Sequence, residues 1–165
     1  MGAKILLTAE EYLRTPFQPD ADFVDGEIVE RNVGENQHSK VQVWLVVFFA
    51  ELAKNHPLHI RTELRMRVSA TRFRVADLAI WMGEEPQESV PASPPLLVAE
   101  IVSPDDRYTE IISKLEDYRK WGVRHIWLID PWSRRLHTFG PAGLNEVAAL
   151  KMAELGVEIL PPQIF

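Results

Sequence analysis

The chain has 165 residues, 46% of them hydrophobic and 25% charged, which suits one globular domain around one packed core and is short for two. It contains no cysteine, which excludes a disulfide framework, a thiolate zinc site and a cysteine nucleophile and fits a cytoplasmic protein. With 18 basic and 24 acidic residues the formal net charge is −6, which argues against a coat protein held on nucleic acid by its overall field. An enzyme whose acidic residues bind divalent metal stays open, because bound ions restore positive charge at the site.

Residues 1–7 carry one lysine and a very short apolar stretch, unlike a signal peptide. No segment approaches the roughly 20 apolar residues that span a bilayer, so no membrane partner is expected. Thr8, with Glu11 three residues on, has the pattern of a capping box and predicts a short helix ending near Pro16. Residues 23–29 predict a hairpin turning at Asp25-Gly26. From about residue 36 to 54, Val41, Leu45, Phe48 and Leu52 recur at helical spacing and mark the buried face of a long helix, ended by Asn55 and Pro57. Residues 59–68 alternate as one half-exposed strand, with Ile60, Leu64, Met66 and Val68 on one side and Arg61, Glu63, Arg65 and Arg67 on the other.

Residues 75–81 and 96–102 are apolar at successive positions, as central strands covered on both faces are. An acidic, proline-rich loop separates them. A second helix is expected from about residue 108 to 121, with Gly122 just past its end. Residues 126–129 form another buried strand, residues 134–139 its neighbour, and residues 130–133 the turn between them. The tail from residue 144 is expected to hold a last short strand. The sum is an α/β fold, a central mixed sheet flanked by helices.

Three residues break the apolar pattern. Asp77 shares a face with Val75, Ala79 and Trp81, and Glu100 shares one with Val98 and Val102. A carboxylate buried alone costs several kcal/mol or neutralises itself. Two on adjacent central strands repel unless a cation lies between them, and hard divalent metals meet that need. The third is Lys114, which falls inside the seam of Ile111, Leu115, Tyr118 and Trp121 and needs a negative partner. Glu100 is the obvious one, because its strand feeds this helix. Two carboxylates and one inward ammonium are the parts of a metal-assisted hydrolytic site. The competing reading is a pair of hydrogen-bonded structural carboxylates with a structural ion pair to Lys114.

The run Val98-Ala99-Glu100-Ile101-Val102-Ser103-Pro104, then Lys114, Tyr118, Gly122-Val123 and Ile126-Trp127-Leu128-Ile129-Asp130, resembles the Uma-type restriction endonucleases. That family, formerly a domain of unknown function, belongs to the PD-(D/E)xK nuclease superfamily. The Asp25-Gly26-Glu27 hairpin, the helix bearing His38 and the strand bearing Asp77 also match features of the family, so the resemblance covers nearly the whole chain. It implies a restriction-endonuclease-like core, Mg²⁺-dependent hydrolysis of phosphodiesters (Mn²⁺ as a substitute) and DNA as partner. Asp77, Glu100 and Lys114 take the catalytic roles, and the carbonyl of Ile101 joins the two carboxylates on the metal. The family commonly has proline before the aspartate, where this chain has Ala76. The superfamily places its lysine two residues after the glutamate, where this chain has Val102, and the family moves it to the following helix.

Arg61, Arg65 and Arg67 are candidate contacts to the substrate backbone, against the plainer reading of an exposed strand face. His38 and Glu27 are possible auxiliary groups; the plainer readings are a capping or solvent-facing histidine and a solvated hairpin face. Glu30 stands with Glu27 in this respect. Trp121 and Trp127 are expected in the core, and Trp44 in an interface with a second subunit. Two-fold pairing would let two sites address two strands, so a homodimer is favoured. Ser103 has no triad partners nearby, and no glycine-rich phosphate loop is present. Besides the nuclease, two functions stay in view: a non-catalytic nucleic-acid or protein-binding relative with the same fold, and a hydrolase of a small phosphorylated molecule.

Overall fold

A computed structural model describes residues 6–165. The signal-peptide reading of residues 1–7 falls mostly on residues outside that range. Helix α1 (Ala9–Arg14) starts at a complete capping box: the Thr8 hydroxyl accepts from the Glu11 N–H at 3.1 Å, and the Glu11 carboxylate accepts from the Thr8 N–H at 2.7 Å. Strands β1 (Asp22–Val24) and β2 (Glu27–Val29) form the expected hairpin, with Asp25 and Gly26 at φ 51° and 96°, the positive values a tight hairpin turn requires. Helix α2 spans Asn36–Leu52. Its buried line is His38, Val41, Leu45 and Phe49; Phe48, expected there, is half-buried and stacks on Trp44 with ring centroids 5.0 Å apart.

Six strands follow around one crossover helix: β3 (Leu58–Arg61), β4 (Leu64–Ser69), β5 (Arg72–Ala76), β6 (Leu78–Met82), β7 (Leu97–Ile101), α3 (Tyr108–Trp121) and β8 (His125–Asp130). Strands β9 (Arg135–Gly140) and β10 (Gly143–Val147) complete a six-stranded mixed sheet ordered β10-β9-β8-β7-β6-β3. Its one parallel pair is β7 with β8, the pair that α3 joins. A four-stranded sheet, ordered β2-β1-β5-β4, stands beside it. The tail is more structured than one strand: β11 (Leu150–Met152) and β12 (Val157–Ile159) pair antiparallel around a short 3₁₀ turn, and α4 (Pro161–Ile164) follows.

Residues 59–68 and 75–81 each expected as one strand are in fact two. The first run breaks at Thr62-Glu63, where Glu63 takes φ 52°, and the second at Asp77. At both breaks the chain leaves one sheet for the other. β3 pairs with β6 in the large sheet, whereas β4 pairs with β5 in the small one. The two crossings lie side by side, bridged by the Glu63 N–H donating to the Ala76 carbonyl at 3.0 Å. Asp77 therefore sits at a seam between sheets, not inside a central strand.

Two apolar layers cover the large sheet. Leu97, Ala99 and Ile101 of β7 pack with Val41, Leu45 and Phe49 of α2. Val98 faces the opposite layer with Leu115 and Tyr118 of α3, so Glu100, two residues on, points toward α3. Trp127 is buried as expected, while Trp121 is half-buried and donates its indole N–H to the Ala92 carbonyl at 3.0 Å. Gly122 ends α3 at φ 106°.

Candidate active site

Five pieces of chain converge on one cavity. The seam supplies Asp77, β7 supplies Glu100 and Ile101, the second turn of α3 supplies Lys114, the first turn of α2 supplies His38, and the segment between β2 and α2 supplies Arg31. Asp77 and Glu100 are 3% and 8% exposed, so neither carboxylate is hydrated as a surface acid would be.

Each carboxylate oxygen has a donor. Asp77 Oδ1 accepts from Arg31 at 2.9 Å; its Oδ2 accepts from the Ile101 N–H at 2.7 Å and lies 3.2 Å from His38 Nε2. The Asp77 carbonyl accepts from the Gln42 amide of α2 at 2.9 Å, which fixes the seam against that helix. Glu100 Oε2 accepts from Lys114 at 3.0 Å and its Oε1 from the Tyr118 hydroxyl at 2.7 Å. Lys114 also donates to the Val75 carbonyl at 2.7 Å and lies 3.9 Å from Asp22 Oδ2.

A buried charge network backs the lysine. Asp22 accepts from the Val75 N–H at 2.8 Å and from Arg74 at 3.1 Å, and Arg74 donates onward to Asp117 of α3 at 2.7 Å. Arg72 joins at the outer end, donating to Asp117 at 2.8 Å and to Asp25 at 2.7 Å. Arg31 extends the other side, bridging Asp77 to Glu63. In this setting the two acids diverge. Burial opposes ionisation of both. At Asp77 the hydrogen bond and charge of His38, with Lys114 and Arg31, win and hold the carboxyl at about 2. At Glu100 burial prevails over Lys114, the Asp77 charge adds to it, and the carboxyl is pushed up to about 7. Burial disfavours the charged form of His38, but the hydrogen bond and charge of Asp77 outweigh it and raise its pKa.

The oxygen set fits a hydrated divalent cation. Asp77 Oδ1 and both Glu100 oxygens each carry one hydrogen bond, which leaves a lone pair apiece. Ile101, whose N–H is bound to Asp77, also lines the cavity. Among the described residues no group of three or more His, Cys, Asp or Glu side chains is placed to hold a metal ion by itself. An ion here would rest on two carboxylates with water completing its shell, a donor set of the kind Mg²⁺ takes.

The structure brings Asp77, Glu100, Ile101, Lys114 and His38 together. His38 is buried against Asp77, which corrects the solvent-facing reading of that residue. Glu30 lines the cavity, whereas Glu27 is not among its lining residues. Nor are Arg61, Arg65 and Arg67, which lie on two strands in two sheets and not on one face of one strand. Arg61 pairs with Glu85. Arg65 is taken up internally, bonding Asp20 at 2.6 Å and lying over the Tyr12 ring at 4.4 Å. Arg67 bonds the Ala70 carbonyl and lies 5.8 Å from the Phe73 ring centroid. The cations that do line the cavity are Arg31, Arg74, Arg107 and Lys114. Sequence reasoning missed Arg31, Asp22 and Arg74, and took Tyr118 as purely apolar. The available signal was the spacing of Tyr118, four residues after Lys114 on the same helical face.

Among curated proteins no sequence matches the chain. A solved crystal structure, described as that of "a putative nuclease belonging to DUF820" from Anabaena variabilis, shares the fold with a TM-score of 0.85 at 20% identity, covering 96% of this chain and 97% of that one. The family model Uma2, described as "Putative restriction endonuclease", matches residues 9–165. The resemblance carried by Glu100, Lys114 and the run to Asp130 thus extends over the site and both sheets, and the chain belongs to the Uma2 family.

Proposed function

We propose that the protein is an endonuclease that hydrolyses phosphodiester bonds in DNA with a divalent metal, Mg²⁺ or Mn²⁺ in its stead. Asp77, Glu100 and the Ile101 carbonyl would hold the ion. One observation carries this reading: two buried carboxylates, one at the seam between the sheets and one on β7, meet a half-buried ammonium, 3.0 Å from one of them, at the wall of a cavity lined by further cations. A bound metal supplies an acidified water and neutralises charge on the phosphate. The protein's own groups supply the rest. Lys114 is held by two acceptors, Glu100 and the Val75 carbonyl, which leaves one N–H to orient the water or meet charge developing on a phosphate oxygen. Tyr118 fixes the other Glu100 oxygen, so that carboxylate cannot swing away. Arg31, with Arg107, replaces the expected arginine row as the contact to the phosphate backbone. A homodimer would present two such sites to two strands. All of these residues would act within one domain comprising the whole chain.

A second reading has one observation in its favour. Arg31 and His38 already occupy Asp77, as they would in a relative that keeps the fold and binds without cutting. Incubation with supercoiled plasmid in Mg²⁺, Mn²⁺ or EDTA separates the two. Nicking that needs metal and falls at least ~100-fold in Asp77→Ala and in Lys114→Ala is expected. Nicking that survives both substitutions overturns the assignment of the site. No nicking, with no metal bound in calorimetry, leaves the binding-only relative.

A further inference from the structure

The lysines and arginines of this acidic chain are nearly all spoken for. Among the described residues, every one except Lys40, Arg67 and Arg134 has a carboxylate within ion-pair distance, and Arg67 bonds a carbonyl and faces a ring. The two left over, Lys40 of α2 and Arg134 of the turn after β8, are both exposed and line the same groove. The same groove holds Trp132, 51% exposed, and the apolar Ile164 and Phe165. An indole left half in water beside two unpaired cations is costly as packing and well suited to a flat, anionic ligand.

Hydrogen bonds to Asp130 hold the turn that carries Trp132. Asp130 accepts from the Trp132 N–H at 2.9 Å, the Ser133 N–H at 3.1 Å and the Ser133 hydroxyl at 2.6 Å. Arg134 follows at φ 57°, a backbone state in which glycine would be cheaper. The groove and the candidate active site draw residues from the same two elements. On α2, His38 lines the catalytic cavity while its neighbours Gln37 and Lys40 line the groove. On β8, Leu128 lines the cavity, and Pro131 and Trp132, just past the strand end, line the groove.

We propose that this groove is a nucleotide subsite for an unpaired stretch of the nucleic-acid strand entering the site. A base stacks on Trp132, and the flanking phosphates lie on Lys40 and Arg134. A base paired within a duplex has both faces covered by its neighbours, so the substrate this subsite selects is single-stranded or carries a single-stranded overhang. The inference rests on the nuclease reading for its choice of ligand and adds to it the form of the substrate.

The test is fluorescence anisotropy with a fluorescein-labelled single-stranded oligodeoxynucleotide in EDTA, where metal-dependent cleavage is off. Trp132→Ala is expected to weaken binding roughly five-fold or more, the size of one lost base stack, and Trp132→Phe to restore most of it. An oligonucleotide of abasic sites should bind the wild type and Trp132→Ala alike. Lys40→Ala/Arg134→Gly, in which glycine suits the positive φ, should lower the slope of log affinity against log salt by about 1.4, the loss of two phosphate contacts on a single strand. Circular dichroism melts of each variant establish that it is folded. Affinity unchanged in Trp132→Ala, a loss that phenylalanine does not restore, or an unchanged salt slope overturns the subsite. Metal-dependent plasmid nicking beside such a result leaves the nuclease reading standing; Trp132-dependent binding with no cleavage of plasmid or of single-stranded DNA under any metal does the reverse.

Discussion

Glu100 and Asp77 are both buried acids in one cavity, yet one is pushed up to about 7 and the other held at about 2. The difference lies in their donors. Asp77 has Arg31, His38 and a backbone N–H, whereas Glu100 has one ammonium and a neutral hydroxyl. This makes Glu100 a burden on the metal-free protein as pH rises. Between its ordinary value near 4.5 and about 7, the folded chain retains a proton that the unfolded chain has released, so stability falls through that window. Glutamine resembles the protonated acid and removes the effect. In EDTA, Glu100→Gln should gain on the wild type by about 1–3 kcal/mol between pH 4.5 and 7.5 in urea melts. Parallel pH curves would mean that Glu100 ionises as a surface acid does. Asp77, Glu100 and Lys114 were legible in the sequence because each is a charge placed where its neighbours are apolar. Arg74 was not, because Arg72-Phe73-Arg74 alternates as any half-exposed strand does. Arg31 was not, because it lies in no periodic element.

At the scale of elements, helices and the hairpin read directly from their ends: the Thr8–Glu11 capping box, the Asp25-Gly26 turn and Gly122 after α3. Gly122 makes the clearest test. At φ 106° an added Cβ would meet only Pro94 Cγ at 3.7 Å, an ordinary contact, so the cost of Gly122→Ala is conformational and not steric. A loss of about 1–2 kcal/mol is expected, read as a lower urea midpoint with unchanged slope. Because α3 carries Lys114 and Tyr118, a misplaced end would also show as reduced nicking. Strands were less legible. Alternation carries on across residues 62–63 without a change of phase, the apolar run resumes at once after Asp77, and no glycine or proline marks either crossing, so a run that changes sheets looks like one strand. The tail escaped for a related reason: β11 and β12 are three residues each, too short for a period to declare itself.

For the molecule as a whole, the buried network does the joining. Arg74 of the small sheet reaches Asp22 on the hairpin and Asp117 on α3, the helix that packs on the large sheet. Removing it would leave Asp22 in the interior with the Val75 N–H and Asp117 with Arg72 alone, so Arg74→Met should cost about 3 kcal/mol, more than the side chain's own packing. In calorimetry the wild type should unfold in one transition whose van't Hoff and measured enthalpies agree; two separated transitions would show that the sheets are independent units. The seam has a further bearing on how this chain can vary. One residue, Asp77, separates the end of β5 from the start of β6, and the site's geometry counts that residue as well as naming it. An insertion there lengthens the crossing by about 3.3 Å and turns every following side chain of β6 to the opposite layer. A deletion closes the gap and turns them over as well. Substitutions on either side change volume or charge one position at a time, and the structure can absorb them locally. A change of length cannot be absorbed, so at this point the sequence is free in its letters and fixed in its spelling length.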